Sequence, residues 1–201
     1  MPGPVLAPGC LSSQAQPALA AADLILRPWL PTDASDLVDA YGDPAIHRWH
    51  CRSLSPVDAE ALVAYEAHRW RQEAGGSWAV THRGALRGRV GIGGIHLGEG
   101  RAGVTYWVLP EARGQGVATL ALSGVAAWAF EAGFHRLEVD HSTQNPASCR
   151  VATKAGFAVE GTKRADALHL DGWHDMHAHA LVAGDPSPGP AHGFREPQVS
   201  A

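Results

Sequence analysis

Residues 106–118 read YWVLPEARGQGVA, and this run indicates a strand that turns directly into a helix. The aromatic and β-branched residues that begin with Tyr106 favour a strand, and Pro110 ends its hydrogen-bond ladder. Beyond Gly116 the chain is almost continuously apolar as far as Phe130, which is too long for a strand and predicts a buried helix. Because the first N–H groups of a helix have no partner within it, a glycine turn at this point can bind phosphate groups.

The surrounding residues exclude two widespread phosphate-binding motifs. A Walker loop requires Gly-Lys followed by Ser or Thr, and no such tripeptide occurs in the chain. The run GIGG at 91–94 comes nearest to a dinucleotide fingerprint, but His96 occupies the place of its last glycine. The pattern R-x-x-G-x-A at 113–118, by contrast, resembles the pyrophosphate loop with which N-acetyltransferases of the GNAT superfamily bind acetyl-coenzyme A.

Two further blocks extend this resemblance over most of the chain. Residues 24–49 read LILRPWLPTDASDLVDAYGDPAIHRW, and residues 145–161 read NPASCRVATKAGFAVEG. With the central run they are similar to the GNAT branch of RimJ/RimL-like ribosomal-protein N-terminal acetyltransferases, over roughly residues 23–183. The resemblance implies an α+β fold in which a mixed, mostly antiparallel central sheet is flanked by about four helices. Such a sheet splays open at a wedge that holds the cofactor.

Hydrophobic periodicity agrees with this order of elements. It predicts a first strand over 23–28, a helix that ends at Gly42, and a second helix that Ser55 caps. A three-stranded antiparallel meander follows, with a bulge at residues 93–94 where the apolar phase shifts. The central helix, a further strand, a helix from Asn145 and two last strands complete the predicted domain.

Composition limits the class of protein. With 201 residues, 45% of them hydrophobic, and a formal charge of -4, the chain fits one globular domain and lacks the basic surface of a nucleic-acid-binding protein. Its three cysteines have no metal or disulfide spacing, which favours free thiols in a reducing compartment. No apolar run is long enough to span a bilayer, so we expect a cytoplasmic protein with no membrane partner. We expect residues 1–22 to form a disordered leader, 23–183 the acetyltransferase domain and 184–201 a flexible tail.

The resemblance implies an enzyme that moves acetyl from its co-substrate acetyl-coenzyme A to a primary amine, by direct attack in a ternary complex. The acceptor stays open between the α-amine of a protein or peptide N-terminus and a small-molecule amine such as an aminoglycoside. Two other functions are a non-catalytic acyl-coenzyme A sensor and a metal hydrolase built on histidines. Family members are often dimers, so a homodimer is compatible with the resemblance.

The resemblance also assigns the site residues. The backbone N–H of Val108, with Leu109 beside it, would stabilise the oxygen charge that develops during transfer. The pyrophosphate would be held by the loop residues Arg113, Gly114, Gln115, Gly116, Val117 and Ala118. Asn145 would contact the cofactor arm, and the hydroxyl of Ser148 would protonate the departing thiolate.

The residues themselves also support a simpler role for two of these positions. Asn145 can cap a helix, and Ser148, three residues on, can satisfy the free N–H groups of its first turn. Many other GNAT enzymes use a tyrosine as the acid. No tyrosine follows Tyr106 in this chain, which favours Ser148 or water instead.

The general base stays open among five side chains, any of which would act directly or through water: Glu66, His68, His96, Asp140 and His141. The last predicted strand carries a separate pattern that bears on metal binding. His177 and His179 alternate with Asp175 on one strand face, with His174 nearby, and this spacing is compatible with a metal ion. Because GNAT enzymes need no metal, we predict none.

Overall fold

The structure is a computed structural model that describes residues 3–186. Its strands are β1 (Leu19–Ala21), β2 (Leu24–Pro28), β3 (Gly75–His82), β4 (Ala85–His96), β5 (Arg101–Val108), β6 (Arg136–Ser142), β7 (Ala158–His169) and β8 (Gly172–Val182). Its α-helices are α1 (Ala34–Gly42), α2 (Pro44–His50), α3 (Pro56–Arg71), α4 (Val117–Glu131) and α5 (Pro146–Lys154). Residues 113–116, which connect β5 to α4 after a short 3-10 turn, are called the glycine loop below.

The eight strands form one sheet in the order β1-β2-β3-β4-β5-β6-β8-β7. Every neighbouring pair is antiparallel except β5 and β6, which run parallel. The predicted α+β class with a mixed, mostly antiparallel sheet is therefore confirmed. The described residues form five α-helices, where the sequence indicated about four. The additional helix is α2, which begins because the Asp43 carboxylate accepts from the N–H groups of Ala45 and Ile46.

Two separate apolar cores stabilise the sheet. In the first, the apolar helix α4 packs its buried Leu122 and Val125 against strands β1 to β6, next to an edge-to-face pair of Trp78 and Trp128. The second core joins α1, α2 and α3 to residues of the sheet that include Trp107. The sequence predicted α4 as a buried helix, and its nearly unbroken apolar run is explained by its central position in the first core.

A wedge opens between β5 and β6. These two strands pair only where Arg101–Gly103 meets Arg136–Glu138, and they are not paired with each other from there to Val108. The predicted bulge in β4 is confirmed by a register shift between Gly93 and His96. The splayed ends of β5 and β6 thus leave a cleft that begins at the glycine loop and the N-terminus of α4.

The N-terminal segment differs from the expected disordered leader. Leu6 and Leu11 are buried in the first core, and β1 pairs with β2. The Glu73 carboxylate accepts from the N–H groups of Gly9, Leu11 and Ser12 at 2.8, 2.7 and 3.2 Å. Burial raises the pKa of Glu73, but these hydrogen bonds outweigh it and lower the pKa. The prediction was wrong for residues 3–22 because their partners lie far away in sequence and their apolar residues follow no period.

Most of the expected C-terminal tail lies outside the described residues, which end at residue 186. The last strand, β8, is an interior strand of the sheet between β6 and β7. No helix within residues 3–186 is both long and apolar enough to cross a membrane.

Candidate active site

The glycine loop turns the chain from β5 into α4. Gly114 and Gly116 have φ angles of 75° and 81°, a left-handed conformation that favours glycine. A Cβ atom at either position would find no neighbour within 4 Å, so conformation rather than crowding requires glycine here. Gly116 is the N-cap of α4, and the first N–H groups of that helix therefore face open space. Together with the helix dipole they form a site suited to an anion.

A cavity of about 530 Å³ lies above this loop, between it, α2 and α5. Eight of the ten predicted site residues line it, namely Val108, Arg113, Gly114, Gly116, Val117, Ala118, Asn145 and Ser148. The other two do not line it. The N–H of Leu109 donates to the carbonyl of Arg87 at 2.9 Å, and the Gln115 amide donates to the carbonyl of Glu111 at 2.7 Å.

The backbone of Val108 faces the wedge. Its carbonyl oxygen accepts from Nε of Arg113 at 3.2 Å, whereas the N–H of Leu109 points the other way, to β4. In an extended strand the N–H and C=O of one residue point to the same side and alternate between neighbours. The N–H of Val108 is therefore directed into the cleft, where the resemblance expects an oxyanion donor.

Arg113 connects the glycine loop to the opposite wall of the cavity. Its guanidinium contacts the Asp43 carboxylate at 2.5 Å, and that same carboxylate caps α2. Burial raises the pKa of Asp43, but the hydrogen bonds from Arg113 and from the α2 backbone lower it by more, so that the net pKa lies below its usual value. The side chain of Arg113 remains 41% exposed, so it places a partly neutralised positive charge at the cavity mouth.

Tyr106 and Ser148 meet across the cleft. The hydroxyl oxygens of the two side chains lie 2.8 Å apart, and the Tyr106 hydroxyl also lies 3.2 Å from the main-chain carbonyl of Ser148. Burial raises the pKa of Tyr106 to about 12, although the hydrogen bond with Ser148 acts in the opposite direction. The sequence favoured Ser148 or water, and not a tyrosine, as the acid. It missed Tyr106 because the contact joins residues on different elements, β5 and α5.

Asn145 has the capping role that the residues alone suggested. Its side-chain oxygen accepts from the N–H of Ser148 at 3.1 Å at the start of α5. Asn145 also lines the cavity, so the cap is compatible with contact to a ligand.

A second, smaller cavity of about 140 Å³ lies on the far side of the Tyr106–Ser148 pair, between the splayed strands. Tyr106 and Ser148 are among the side chains that line both cavities, so the two spaces adjoin near this pair. Of the five candidate bases, Asp140 and His141 line the second cavity. The other three line neither cavity.

Each of those three side chains has other contacts. Glu66 is 4% exposed and is neutralised by Arg69 at 3.2 Å and Arg89 at 3.6 Å. His68 is exposed and stacks on Tyr65, 6.5 Å between ring centroids. His96 is the exposed last residue of β4, and its Nδ1 accepts from the N–H of Glu99 at 3.1 Å. Among the five candidates, Asp140 and His141 are thus the two that line a cavity, and the Asp140 carboxylate is itself paired with Lys163 at 2.6 Å.

His50, at the end of α2, lines both cavities and was not singled out from the sequence. Its Nε2 lies 3.2 Å from the carbonyl oxygen of Tyr106. Because a carbonyl only accepts, Nε2 carries the proton. Burial, with a smaller contribution from nearby Arg89, lowers the pKa of His50 to about 4. His50 is thus neutral near pH 7 and holds the end of β5 against α2.

Comparison with known proteins gives the family of this fold and cleft. A family model described as the acetyltransferase (GNAT) domain matches residues 23–158. The chain belongs to the GNAT acetyltransferase family. It is accordingly an N-acetyltransferase that uses acetyl-coenzyme A, and the resemblance read from its three sequence blocks is confirmed.

Several proteins resemble this GNAT enzyme along most of their length. It is 25% identical over 164 residues to the uncharacterized N-acetyltransferase YoaA of Bacillus subtilis, covering 79% of this chain and 93% of that protein. It is 24% identical over 151 residues to the putative ribosomal N-acetyltransferase YdaF of the same organism, covering 72% and 82%. Among solved structures, Mycobacterium smegmatis RimJ in complex with a coenzyme A disulfide superposes with a TM-score of 0.76. That structure covers 88% of this chain and 90% of its own, at 22% identity.

The cleft of this GNAT enzyme fits the family's co-substrate. Two left-handed glycines with no atom above them, Gly114 and Gly116, leave room for a pyrophosphate against the first amides of α4. The cavity continues from there along the wedge to Ser148 and its paired hydroxyl. The site therefore offers a continuous path for a long, linear ligand with an anionic middle.

Proposed function

We propose that this enzyme acetylates the α-amine of a polypeptide N-terminus by direct attack of the amine on the bound thioester. The observation that carries the proposal is that two cavities adjoin near one hydrogen-bonded pair of hydroxyls, Tyr106 and Ser148. The larger cavity is the one that fits acetyl-coenzyme A. The smaller cavity opens on the reacting centre from the other side, so an amine placed there has a direct line to the acetyl group.

The backbone of β5 prepares the cleft for this transfer. Acetyl-coenzyme A, when bound, supplies an acetyl thioester. The N–H of Val108 is directed into the wedge, and we assign it the role of stabilising the negative charge that develops on the acetyl oxygen. The amides of Gly114 to Ala118 and the guanidinium of Arg113 fix the anionic part of the ligand, and this holds the thioester in register with Val108.

The Tyr106–Ser148 pair delivers a proton to the departing sulfur. With a pKa of about 12, Tyr106 stays protonated at any physiological pH. It is a weaker acid than an ordinary thiol, whose pKa is about 8.5, so it cannot end the reaction as a phenolate. We therefore assign the pair the role of a relay, in which Tyr106 donates to Ser148 Oγ and Ser148 donates toward the sulfur. The proton that the attacking amine loses must pass to the Tyr106 oxygen, so that both hydroxyls are protonated again when the thiol leaves.

The small size of the second cavity favours a peptide amine over a large antibiotic. A volume of about 140 Å³ is well below the roughly 300 Å³ at which small-molecule sites usually begin. It holds the reacting end of an acceptor, while the rest of the acceptor must lie outside. The Asp140 carboxylate at its wall already accepts from the Lys163 ammonium at 2.6 Å, so it is the size of the cavity and not its charge that favours a peptide amine. The similarity to YdaF, described as a putative ribosomal N-acetyltransferase, points in the same direction.

The experiment is an acceptor panel monitored by the release of free thiol from acetyl-coenzyme A. The panel contains peptides with a free N-terminus, the same peptides with a blocked N-terminus and an internal lysine, polyamines and aminoglycosides. We expect turnover only with free N-termini, and mass spectrometry should place one acetyl group on the α-amine. Turnover with aminoglycosides alone would refute the proposed acceptor. Tight binding of acetyl-coenzyme A without turnover on any amine would refute catalysis.

A further inference from the structure

Three histidines and a cysteine meet behind the active site. His141 of β6 lies directly opposite His177 of β8 in the strand register, and His179 is two residues further along the same face. Helix α5 covers this face and brings Cys149 to the three rings. One possible ligand atom from each of the four side chains lies within 4.8 Å of every other. His141 and His179 are 5% and 1% exposed.

The hydrogen bonds of two of these rings leave their lone pairs facing each other. Nδ1 of His141 lies 2.9 Å from the carbonyl oxygen of Ser142, and Nδ1 of His179 lies 3.4 Å from that of Phe157. Carbonyl oxygens only accept, so both rings are held with the proton on Nδ1. The two Nε2 atoms are then both unprotonated, yet they lie 3.0 Å apart. Two lone pairs at this distance repel each other unless a cation lies between or beside them.

A proton shared between the two Nε2 atoms would not relieve this repulsion favourably. A shared proton would make the pair a cation buried in the protein interior, which is unfavourable without a negative partner. Turning one ring to its other tautomer would aim an unprotonated Nδ1 at a carbonyl oxygen instead. Neither arrangement gives a hydrogen-bond partner to Nδ1 of His177, which is buried and has none among the described residues. A buried nitrogen of this kind requires an explanation.

We propose that His141, Cys149, His177 and His179 bind one zinc ion. Three imidazoles and one thiolate are ligands that Zn²⁺ prefers, and a closed set of four protein ligands is typical of its structural sites. The Nδ1–H groups of His141 and His179, donated to backbone carbonyls, are the outer contacts that orient histidines on a metal. Binding would release the proton of the Cys149 thiol to solvent.

This site differs from the one that the sequence raised and set aside. That alternative grouped His177 and His179 with Asp175 and His174. In the structure, Asp175 accepts from the N–H of Ala165 at 2.8 Å. His174 contacts Ser142 Oγ and Asp171, both at 2.8 Å. The partners that complete the cluster come instead from β6 and α5, which sequence spacing does not reveal.

The position of the ion gives it a structural role rather than a hydrolytic one. Four protein ligands leave no open position for a water molecule or substrate. Cys149 follows Ser148 directly, so the ion would fasten the first turn of α5 to β6 and β8. It would thereby fix the distance between Ser148 and Tyr106. A coordinated His141 would also be unable to act as the general base, which leaves Asp140 among the predicted candidates.

The first test uses the full-length enzyme prepared without a polyhistidine tag or chelator. We expect elemental analysis to find one zinc ion per chain, and removal of the zinc to lower the Tm. Replacement by Co²⁺ should give the intense visible bands of a tetrahedral site together with a thiolate-to-cobalt charge-transfer band in the near ultraviolet. A wild-type protein that binds neither ion from an equimolar solution, with no change in Tm, would overturn the proposal.

Matched variants separate this site from adventitious binding. Cys149→Ser should abolish the charge-transfer band, and His177→Asn should reduce zinc to well below one ion per chain. The controls are Cys51→Ser and His135→Asn, at exposed positions outside the cluster, and both should bind zinc as the wild type does. Full zinc binding by both Cys149→Ser and His177→Asn would contradict the assignment. If the variants fail to fold, the wild-type cobalt spectrum alone decides between the two outcomes.

Discussion

Gly116→Val is the substitution that isolates the role of the glycine loop. The φ angle of Gly116 is 81°, and no atom lies within 4 Å of the added Cβ. Gly84, in the turn between β3 and β4, has the same φ of 81° and equally empty surroundings. Gly84 does not line the wedge. A valine at either position thus meets the same backbone strain, and only the one at Gly116 projects into the proposed pyrophosphate site.

The two effects have different expected sizes. Holding a non-glycine residue in the left-handed region costs roughly 1–2 kcal/mol, so both variants should be destabilised by about this amount and still fold. At Gly116 the side chain also displaces the anion from the first amides of α4. Loss of one charge-assisted hydrogen bond costs about 1.5–3 kcal/mol, which weakens binding by roughly 10- to 150-fold.

The assay is isothermal titration calorimetry with coenzyme A, together with thermal unfolding of both variants. We expect both Tm values to fall by a similar amount. Only Gly116→Val should lose affinity for coenzyme A, while Gly84→Val keeps the wild-type Kd. Equal affinity of the two variants, with both folded, would refute the assignment of the anion site to the glycine loop.

Three further predictions concern the rest of the molecule. Tyr106→Phe should lower kcat about 100-fold with little change in KM. If the two hydroxyls act as one relay, the double variant with Ser148→Ala should have no lower kcat than Tyr106→Phe alone. Multiplicative losses of kcat in steady-state kinetics would contradict the relay. NMR titration of the histidine rings should place the pKa of His50 at about 4, whereas a value near 6.5 would show that it is not buried against β5. Glu73→Gln should reduce the free energy of unfolding by about 1 kcal/mol at pH 7. Because folding lowers the pKa of Glu73, this difference in stability should be lost as the pH falls below 4.5, the ordinary pKa of a glutamate. A difference that persists at low pH in denaturant titrations would contradict the role given to the carboxylate.

The sequence predicted those features that residues close together in the chain determine. Pro110 ends β5, the left-handed glycines lead into α4, and Ser55 with Asp58 forms the capping box of α3. The bulge in β4 followed from a shift in the apolar phase. These signals depend on residues a few positions apart, which is why most of the order of elements was predicted. The site residues came from the family resemblance, and eight of the ten line the larger cavity.

Long-range contacts account for what the sequence did not show. The N-terminal segment is ordered by Glu73, more than sixty positions away, and α2 lacked an apolar period that could predict it. The Tyr106–Ser148 contact joins residues 42 positions apart. His141 and Cys149 reach His177 only through the pairing of β6 with β8 and the packing of α5. No spacing within one element encodes such meetings.

The most direct test of the central claim is a crystal structure of the enzyme with acetyl-coenzyme A. We expect the pyrophosphate to accept hydrogen bonds from the amides between Gly114 and Ala118. We also expect the sulfur to lie within hydrogen-bonding distance of Ser148 Oγ, with the acetyl oxygen toward the N–H of Val108. A pyrophosphate bound away from the N-terminus of α4, or a thioester far from the Tyr106–Ser148 pair, would contradict the central claim.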